Sequence, residues 1–281
     1  MKKLLAIAVA VAFAAPAMAD TNVYGKIHMS VGKVSGVAGT FVESHSSRLG
    51  FKGSNALDNG LTATHKLEMG YNFVDEEGSI TPRDSWIGLK GGFGEVRVGR
   101  QSIPHSVLEY AIGHNSRYNP ITKFSRVPNA IAYVNKMGPL GVAVAYVAAG
   151  EVEGGTASDS ATNLMVNYKS GPIYAGISTL KATGASAATK IALGYKGGNY
   201  KVGYIGEKTI GTGDKLHIVN GNYNFGKTYV FAEYGKNSTA GTNQKNIEIG
   251  YNLGKGTKAY FEWENNQAGV KSNRIGYVHN F

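Results

Sequence analysis

Apolar and polar side chains alternate one by one along short segments of this chain, and glycine-rich or polar connections separate the segments. In the first segment Val23, Ile27 and Val31 fall on one face, whereas Lys26 and His28 fall on the other. An alternation of period two indicates a β-strand with two different faces. We count sixteen such segments, which predict an all-β chain. They begin near Asn22, Ser47, Leu61, Arg83, Glu95, Arg126, Gly141, Ala161, Ile173, Lys190, Tyr200, Leu216, Thr228, Gln244, Thr257 and Ser272.

Three places depart from this alternation. The fourth segment puts Ile87 and Leu89 on its polar face, and the twelfth changes phase near His217 to Val219. His65 falls on the apolar face of the third segment, which suggests an interfacial or subunit-contact position and nothing more. The pattern alone predicts a strand at each place without explaining the departure.

The connections between the segments alternate in length. Those after even-numbered segments are short and carry glycine, as in 57–60 and 197–199, and glycine is suited to tight hairpin turns. Those after odd-numbered segments are longer and polar, as in 34–46 and 149–160. Short periplasmic turns and longer external loops are typical of an outer-membrane barrel, so we expect both chain ends on the periplasmic side.

The charge on the polar faces decides which solvent each face meets. Those faces carry many lysine, arginine and glutamate side chains, which a dry core does not accommodate. Sixteen strands closed into one barrel leave an interior too wide for side chains to fill, so we expect the interior to be aqueous and the apolar face to contact lipid. Tyrosines near the segment ends suit the two aromatic girdles of such a barrel: Tyr146, Tyr168, Tyr195, Tyr251 and Tyr277.

The first residues predict a secretory signal peptide. Lys2 and Lys3 precede the uncharged apolar run 4–15, and Ala17 and Ala19 are the small residues that a signal peptidase reads. We expect cleavage after Ala19, which leaves 20–281 as one barrel domain; an uncleaved N-terminal membrane anchor is the alternative. Without the two lysines, 27 basic residues remain against 19 acidic ones, a net charge of +8. The chain has no cysteine, so disulfides do not hold it together.

Several segments in this order resemble the Gram-negative general porins, in the form found in neisserial and related β-proteobacterial outer membranes. The resemblance implies a sixteen-stranded transmembrane barrel in a homotrimer, with its third loop folded inward, that passes small hydrophilic solutes. It implies that a terminal phenylalanine, here Phe281, is the signal to the barrel-insertion machinery. The external loops are short for the family, notably 265–271. The matching segments are Val23–Lys26, Ser47–Gly53, Leu57–Leu61, Arg83, Trp86–Gly94, Val98–Arg100, Arg126, Asn129–Tyr133 and Gly276–Phe281.

The longest connection, 101–125, occupies the place of the family's constriction loop. It mixes apolar with polar side chains, which favours packing against the barrel wall over extension into solvent. The apolar members are Ile103, Pro104, Val107, Leu108, Tyr110 and Ile112. Its two histidines, His105 and His114, are candidates for tuning conductance with pH, although solvated or wall-packed histidines are the commoner case.

The wall that faces the loop is expected to be basic. Lys26, Arg48, Arg83 and Arg126 match the family's basic wall positions, and Arg97 and Arg100 are candidates to extend the cluster. The loop itself offers one carboxylate, Glu109. Like charges in a narrow aqueous pore raise the local concentration of anions, so we expect a preference for anions. The alternative is that pairing of the arginines leaves the pore near neutral; the candidate partners are Glu68, Asp84 and Glu95.

Other functions have weaker support in the sequence. A substrate-specific channel for phosphate, an organic acid or a sugar would need a saturable site. An outer-membrane enzyme would need a catalytic set, and we identify no nucleophile elbow, metal-ligand spacing or cofactor motif. A soluble nucleic-acid-binding β-protein would explain the charge but not the signal segment. We therefore expect a channel without cofactor, metal or nucleic-acid partner.

Overall fold

The computed structural model describes residues 21–74, 78–108, 126–149 and 160–281. The expected signal segment, 1–19, lies outside these residues. The described strands are β1 (Thr21–Val34), β2 (Phe41–Ser44), β3 (Arg48–Ala56), β4 (Thr62–Tyr71), β5 (Ile80–Gly91), β6 (Gly94–Ser102), β7 (Arg126–Met137), β8 (Leu140–Val147), β9 (Ala161–Ser170), β10 (Ile173–Ala182), β11 (Ala188–Gly197), β12 (Tyr200–Lys208), β13 (Lys215–Phe225), β14 (Thr228–Asn237), β15 (Thr242–Gly254), β16 (Thr257–Asn265) and β17 (Lys271–Asn280). A four-residue helix, α1 (Pro104–Val107), follows β6. Among the described residues, no helix is long and apolar enough to cross a membrane.

The strands form one closed antiparallel barrel. From β3 to β17 each strand pairs with the next one along the chain, and β1 pairs with β17 on one edge and with both β2 and β3 on the other. Because β2 and β3 are two parts of one strand interrupted at 45–47, the described chain builds the predicted sixteen-stranded barrel. Phe281 completes the closure through two backbone hydrogen bonds with Gly25, of 2.8 and 3.1 Å.

The two faces of the barrel are inverted relative to a water-soluble protein. Large apolar side chains point outward and are exposed, as shown by Ile87 at 70% and Ile275 at 68%. Charged side chains point inward, and Lys190 and Glu262 are both fully buried. The five predicted girdle tyrosines are all exposed. An apolar outer band with a polar interior is the arrangement that hydrocarbon stabilises, so the prediction of a transmembrane barrel is confirmed.

The irregular fourth segment is explained by a β-bulge. Between the pairs Leu67 with Ser85 and Met69 with Pro82, strand β5 carries one extra residue. Arg83 and Asp84 therefore both reach the lumen, and the alternation then resumes in the other phase. Ile87 lies on the outer face as a result, where its side chain is exposed.

The twelfth segment keeps one phase in the structure. Leu216 and Ile218 are buried and point inward, whereas Val219 points outward. The expected change of phase near His217 is therefore wrong. The inward apolar side chains are needed because they contact the loop that enters the barrel.

His65 lies on the outer face and has a polar partner on β1, two strands away, across Gly53 of β3. Its Nε2 atom lies 3.1 Å from the Thr21 hydroxyl. This contact gives the imidazole a polar partner in Thr21, the first residue of β1.

Candidate pore constriction

The loop after β6 turns into the barrel at once, because two apolar side chains fix its first residues. Ile103 and Leu108 are both fully buried and flank α1. Ile103 joins an apolar cluster formed by β7 to β11, and Leu108 joins a second one that includes Ile205 and Ile218. The close approach of Leu108 requires a glycine on the wall, since a Cβ atom at Gly176 would lie 2.4 Å from the Leu108 Cδ1 atom.

His105 adds a polar anchor between these two apolar ones. Its backbone amide donates to the Asn163 side chain at 2.7 Å, and its ring nitrogens lie 3.2 Å from the Ser178 hydroxyl and 3.3 Å from Glu207 Oε1. Lys190 Nζ lies 3.4 Å from the other oxygen of Glu207. His105, Lys190 and Glu207 are all buried, so α1 is held to β9, β10 and β12 by a dry polar cluster.

The protonation of His105 is set by this cluster. Burial lowers the pKa of His105, and the charge of Lys190 lowers it further, whereas the hydrogen bond to Glu207 raises it. The net direction is downward, so the neutral imidazole is the form that the anchor favours at neutral pH. Of the two loop histidines, His105 is therefore wall-packed; His114 lies outside the described residues.

Four of the predicted basic residues meet on one part of the lumen wall. Lys26 faces Arg48 across the β1–β3 pair, and Arg83 and Arg126 approach from β5 and β7. Lys66 on β4, which the sequence analysis did not select, joins them. We call these five residues the basic wall.

Two carboxylates hold the basic wall together. Glu68 forms an ion pair with Arg83 through Nε and lies 3.7 Å from Arg48 Nε. Asp84 lies 2.6 Å from Lys66 Nζ and 2.9 Å from Arg126 Nε. The predicted alternative, pairing of the arginines with Glu68 and Asp84, is thus present in the structure.

Pairing leaves the basic wall with an excess of positive charge. Five cations share two carboxylates, which gives a net formal charge of +3. The positive side chains are also the more exposed ones. The Arg48 and Arg126 side chains are 29% and 27% exposed, whereas the Glu68 side chain is 4% exposed. A solute in the lumen therefore contacts more positive than negative surface.

Of the remaining predicted site residues, Arg97 has its ion pair outside the basic wall and Arg100 lies on the other face. Arg97 is in the lumen, where it forms an ion pair with Glu95 at 2.6 Å and stacks over Trp86. Arg100 pairs with Ser85 on the face that carries exposed apolar side chains, so the expectation that it extends the cluster is wrong. Alternation in β6 places it there, since Arg97 faces the lumen and Arg100 is three residues further along the strand. Glu109 lies outside the described residues.

A carboxylate-rich patch on β14 to β17 was not singled out from the sequence. Glu248 and Glu262 lie directly opposite each other across β15 and β16, and both are buried. Arg274 contacts three carboxylates, at distances of 2.8 to 3.6 Å; they are Glu43, Glu262 and Glu264. Alternation placed Glu248 and Glu262 on the lumen face. It did not show that they lie opposite each other, because that depends on the register of β15 and β16.

Comparison with known proteins identifies the family. The family model described as Gram-negative porin matches residues 6–268. This chain belongs to the Gram-negative porin family. The predicted resemblance is thereby confirmed, and the porin is a protein of the outer membrane.

The porin is similar to curated proteins over part of its length. It is 37% identical over 115 residues to the major outer membrane protein P.IB of Neisseria gonorrhoeae, a segment covering 37% of this chain and 33% of that protein. It is 39% identical over 111 residues to the protein of the same name from Neisseria meningitidis serogroup A, covering 36% of this chain and 34% of that protein. The matched segment thus spans about a third of the length of these relatives.

Solved structures share the fold over almost the whole porin. A mutant of Rh. blastica porin superposes with a TM-score of 0.77 at 16% identity, covering 93% of this chain and 100% of that chain. A second mutant of the same porin gives a TM-score of 0.76 at 17% identity with the same coverage. At this identity the match concerns the barrel architecture, which it confirms.

Proposed function

We propose that this porin forms a water-filled channel for the passive diffusion of small hydrophilic solutes, with a preference for anions. The observation that carries the proposal is the basic wall, where partly exposed cations outnumber buried carboxylates. Charges of one sign along a narrow aqueous path attract counter-ions and repel ions of like charge. The carboxylate patch on β14 to β17 opposes this effect only weakly, because Glu248, Glu262 and Glu264 are buried, and the last two contact Arg274.

The proposal also covers the processing, membrane insertion and assembly of the chain. Signal peptidase would remove residues 1–19, and the barrel-insertion machinery would read Phe281 at the barrel seam. The mature barrel, 20–281, would assemble as a homotrimer in outer-membrane lipid, as the family resemblance implies. We propose no enzymatic activity and no cofactor for it.

Single-channel recording in planar bilayers under a salt gradient tests the proposed selectivity. We expect three equal conductance steps and a reversal potential of the sign that chloride preference produces. The double substitution Arg83→Gln and Arg126→Gln should lower the chloride-to-potassium permeability ratio by at least about twofold, because it removes two cations from the aqueous path.

The matched control is Lys236→Gln, which removes one positive charge from an exposed position outside the lumen. It should leave the reversal potential unchanged. A reversal potential of cation-preferring sign for the unaltered protein contradicts the anion preference, and the absence of conductance contradicts the channel.

A further inference from the structure

Three lysines from separate strands surround one cavity at the short-turn end of the lumen. Lys196 and Lys201 face each other directly across the β11–β12 pair, and Lys169 lies opposite Tyr174 across the β9–β10 pair. Alternation places all three lysines on the inner face, since Lys196 shares its face with the buried Lys190. We call Lys169, Lys196 and Lys201 the lysine cluster.

The lysine cluster concentrates positive charge without a carboxylate partner in the described parts of the chain. No ion pair joins any of its three ammonium groups to an acid there. Glu207, the acid on the inner face of β12, is already engaged by His105 and Lys190. Like charges directly opposite each other destabilise a pair of strands, so an anion bound between Lys196 and Lys201 would offset their mutual repulsion.

The cavity has the size and lining of a site for a small multivalent anion. Its volume is about 180 Å³, and the Tyr174 ring and the turn at Pro172 complete its wall around the lysine cluster. Each ammonium group offers three donors, and charge-assisted hydrogen bonds to phosphate oxygens are short and strong. We propose that the lysine cluster is a saturable binding site for phosphate-type anions at the periplasmic mouth of the channel.

A second cavity, also lined by lysines, shows how the proposed site differs in its charge. Lys90 and Lys136 line a space of about 490 Å³, but Glu95 lines it as well. Glu95 accepts hydrogen bonds of 2.6 Å from both Thr64 and Arg97, which fixes a negative charge at that cavity. Lysines alone therefore do not define the proposed site; what defines it is three lysines around a cavity that has no acid among its described lining residues.

The site deepens the proposed function, since it rests on an aqueous lumen that anions enter. Its test uses the purified full-length porin in a phosphate-free non-ionic detergent, titrated with pyrophosphate in a calorimeter. In planar bilayers, pyrophosphate added on the short-turn side should reduce the chloride current along a saturation curve. The double substitution Lys196→Gln and Lys201→Gln should weaken both responses about tenfold or more, because each loses charge-assisted hydrogen bonds.

Lys227→Gln is the matched control, because Lys227 lies exposed in a turn at the same end but outside the cavity. It should bind pyrophosphate like the unaltered protein. Absence of saturable binding, or equal weakening in the control, overturns the site. If pyrophosphate does not bind while the channel still conducts with an anion-preferring potential, the site fails and the proposed function stands; without any conductance, the proposed function fails.

Discussion

At the scale of single residues, His105 shows how a loop can be fixed inside a barrel. The sequence analysis left open whether it tunes conductance or is wall-packed. The structure gives both its ring nitrogens partners, Ser178 and Glu207, and places Lys190 on the far side of Glu207. The residue is thus an anchor for the loop root, and its low pKa links that anchor to pH.

Acidification should loosen this anchor. Because the pKa of His105 is lowered in the folded protein, the unfolded chain binds more protons, so the stability it contributes is lost as the pH falls below the ordinary histidine value of about 6.5. Amide hydrogen exchange of residues 103–108 should accelerate between about pH 7.5 and pH 5, after correction for the intrinsic exchange rate.

Two substitutions separate His105 from other titrating groups. His105→Gln removes the proton site while it keeps a polar side chain, and it should abolish the pH dependence of exchange in 103–108. His217→Gln removes an exposed histidine of the outer face and should leave that dependence intact. An unchanged pH dependence in His105→Gln would show that another group loosens the loop root.

At the scale of the strands, tyrosine rings cover glycines on the lumen wall. The Tyr229 and Tyr260 rings lie over Gly250 and Gly276, so closely that a Cβ atom on either glycine would lie 2.1 or 2.0 Å from the ring carbon Cζ. The hydroxyl of Tyr229 donates to Glu248, which restrains the ring from moving away. These glycines are therefore required by close packing across neighbouring strands.

Gly250→Ala should destabilise the barrel by about 1–3 kcal/mol, the usual cost of overpacking. Urea unfolding in detergent micelles, followed by tryptophan fluorescence, measures this free energy. Gly221→Ala is the matched control, because its Cβ atom would meet its nearest neighbour at 3.7 Å, an ordinary contact distance. Equal stability of the two variants would show that the ring over Gly250 moves freely.

The sequence predicted the strands well because alternation is a local signal. Each predicted start falls close to an observed strand, and the alternation of short turns with long loops is present. Partners across strands were not predictable in the same way, since they depend on register. The bulge in β5 is the clearest case: one extra residue brought Asp84 to the basic wall and moved Ile87 outward, and no residue type there signals it.

The positive side chains of the candidate site were predictable from the sequence, but the extent to which carboxylates neutralise them was not. Alternation and the family resemblance placed Lys26 and Arg48 in the lumen, where the structure has them. The sequence analysis named Glu68 and Asp84 as candidate partners of the arginines, but which arginine each one pairs with, and the presence of Lys66, depend on register. Arg100 failed for a different reason: alternation along β6 from Arg97 already places it on the outer face, opposite Ser85, and the expectation did not apply it.

At the scale of the whole molecule, the account depends on an inverted barrel. Exposed apolar side chains cover the outer surface of the barrel, and buried or half-buried polar side chains line its inner surface. In water such a surface is unstable, whereas in a membrane each face meets its own solvent. The basic wall and the lysine cluster both require that the inner face is the one reached by water.

Site-directed thiol labelling tests this orientation most directly, since the chain has no cysteine of its own. On β13, Asn222 points into the lumen and Val219, 56% exposed, points outward. A charged water-soluble thiol reagent should react with Asn222→Cys in bilayers and reduce its single-channel current. The same reagent should not react with Val219→Cys. A nitroxide spin label attached at Val219→Cys in detergent and then transferred to bilayers should contact oxygen dissolved in the lipid. The reverse pattern, with Val219→Cys reacting and Asn222→Cys protected, would contradict the account.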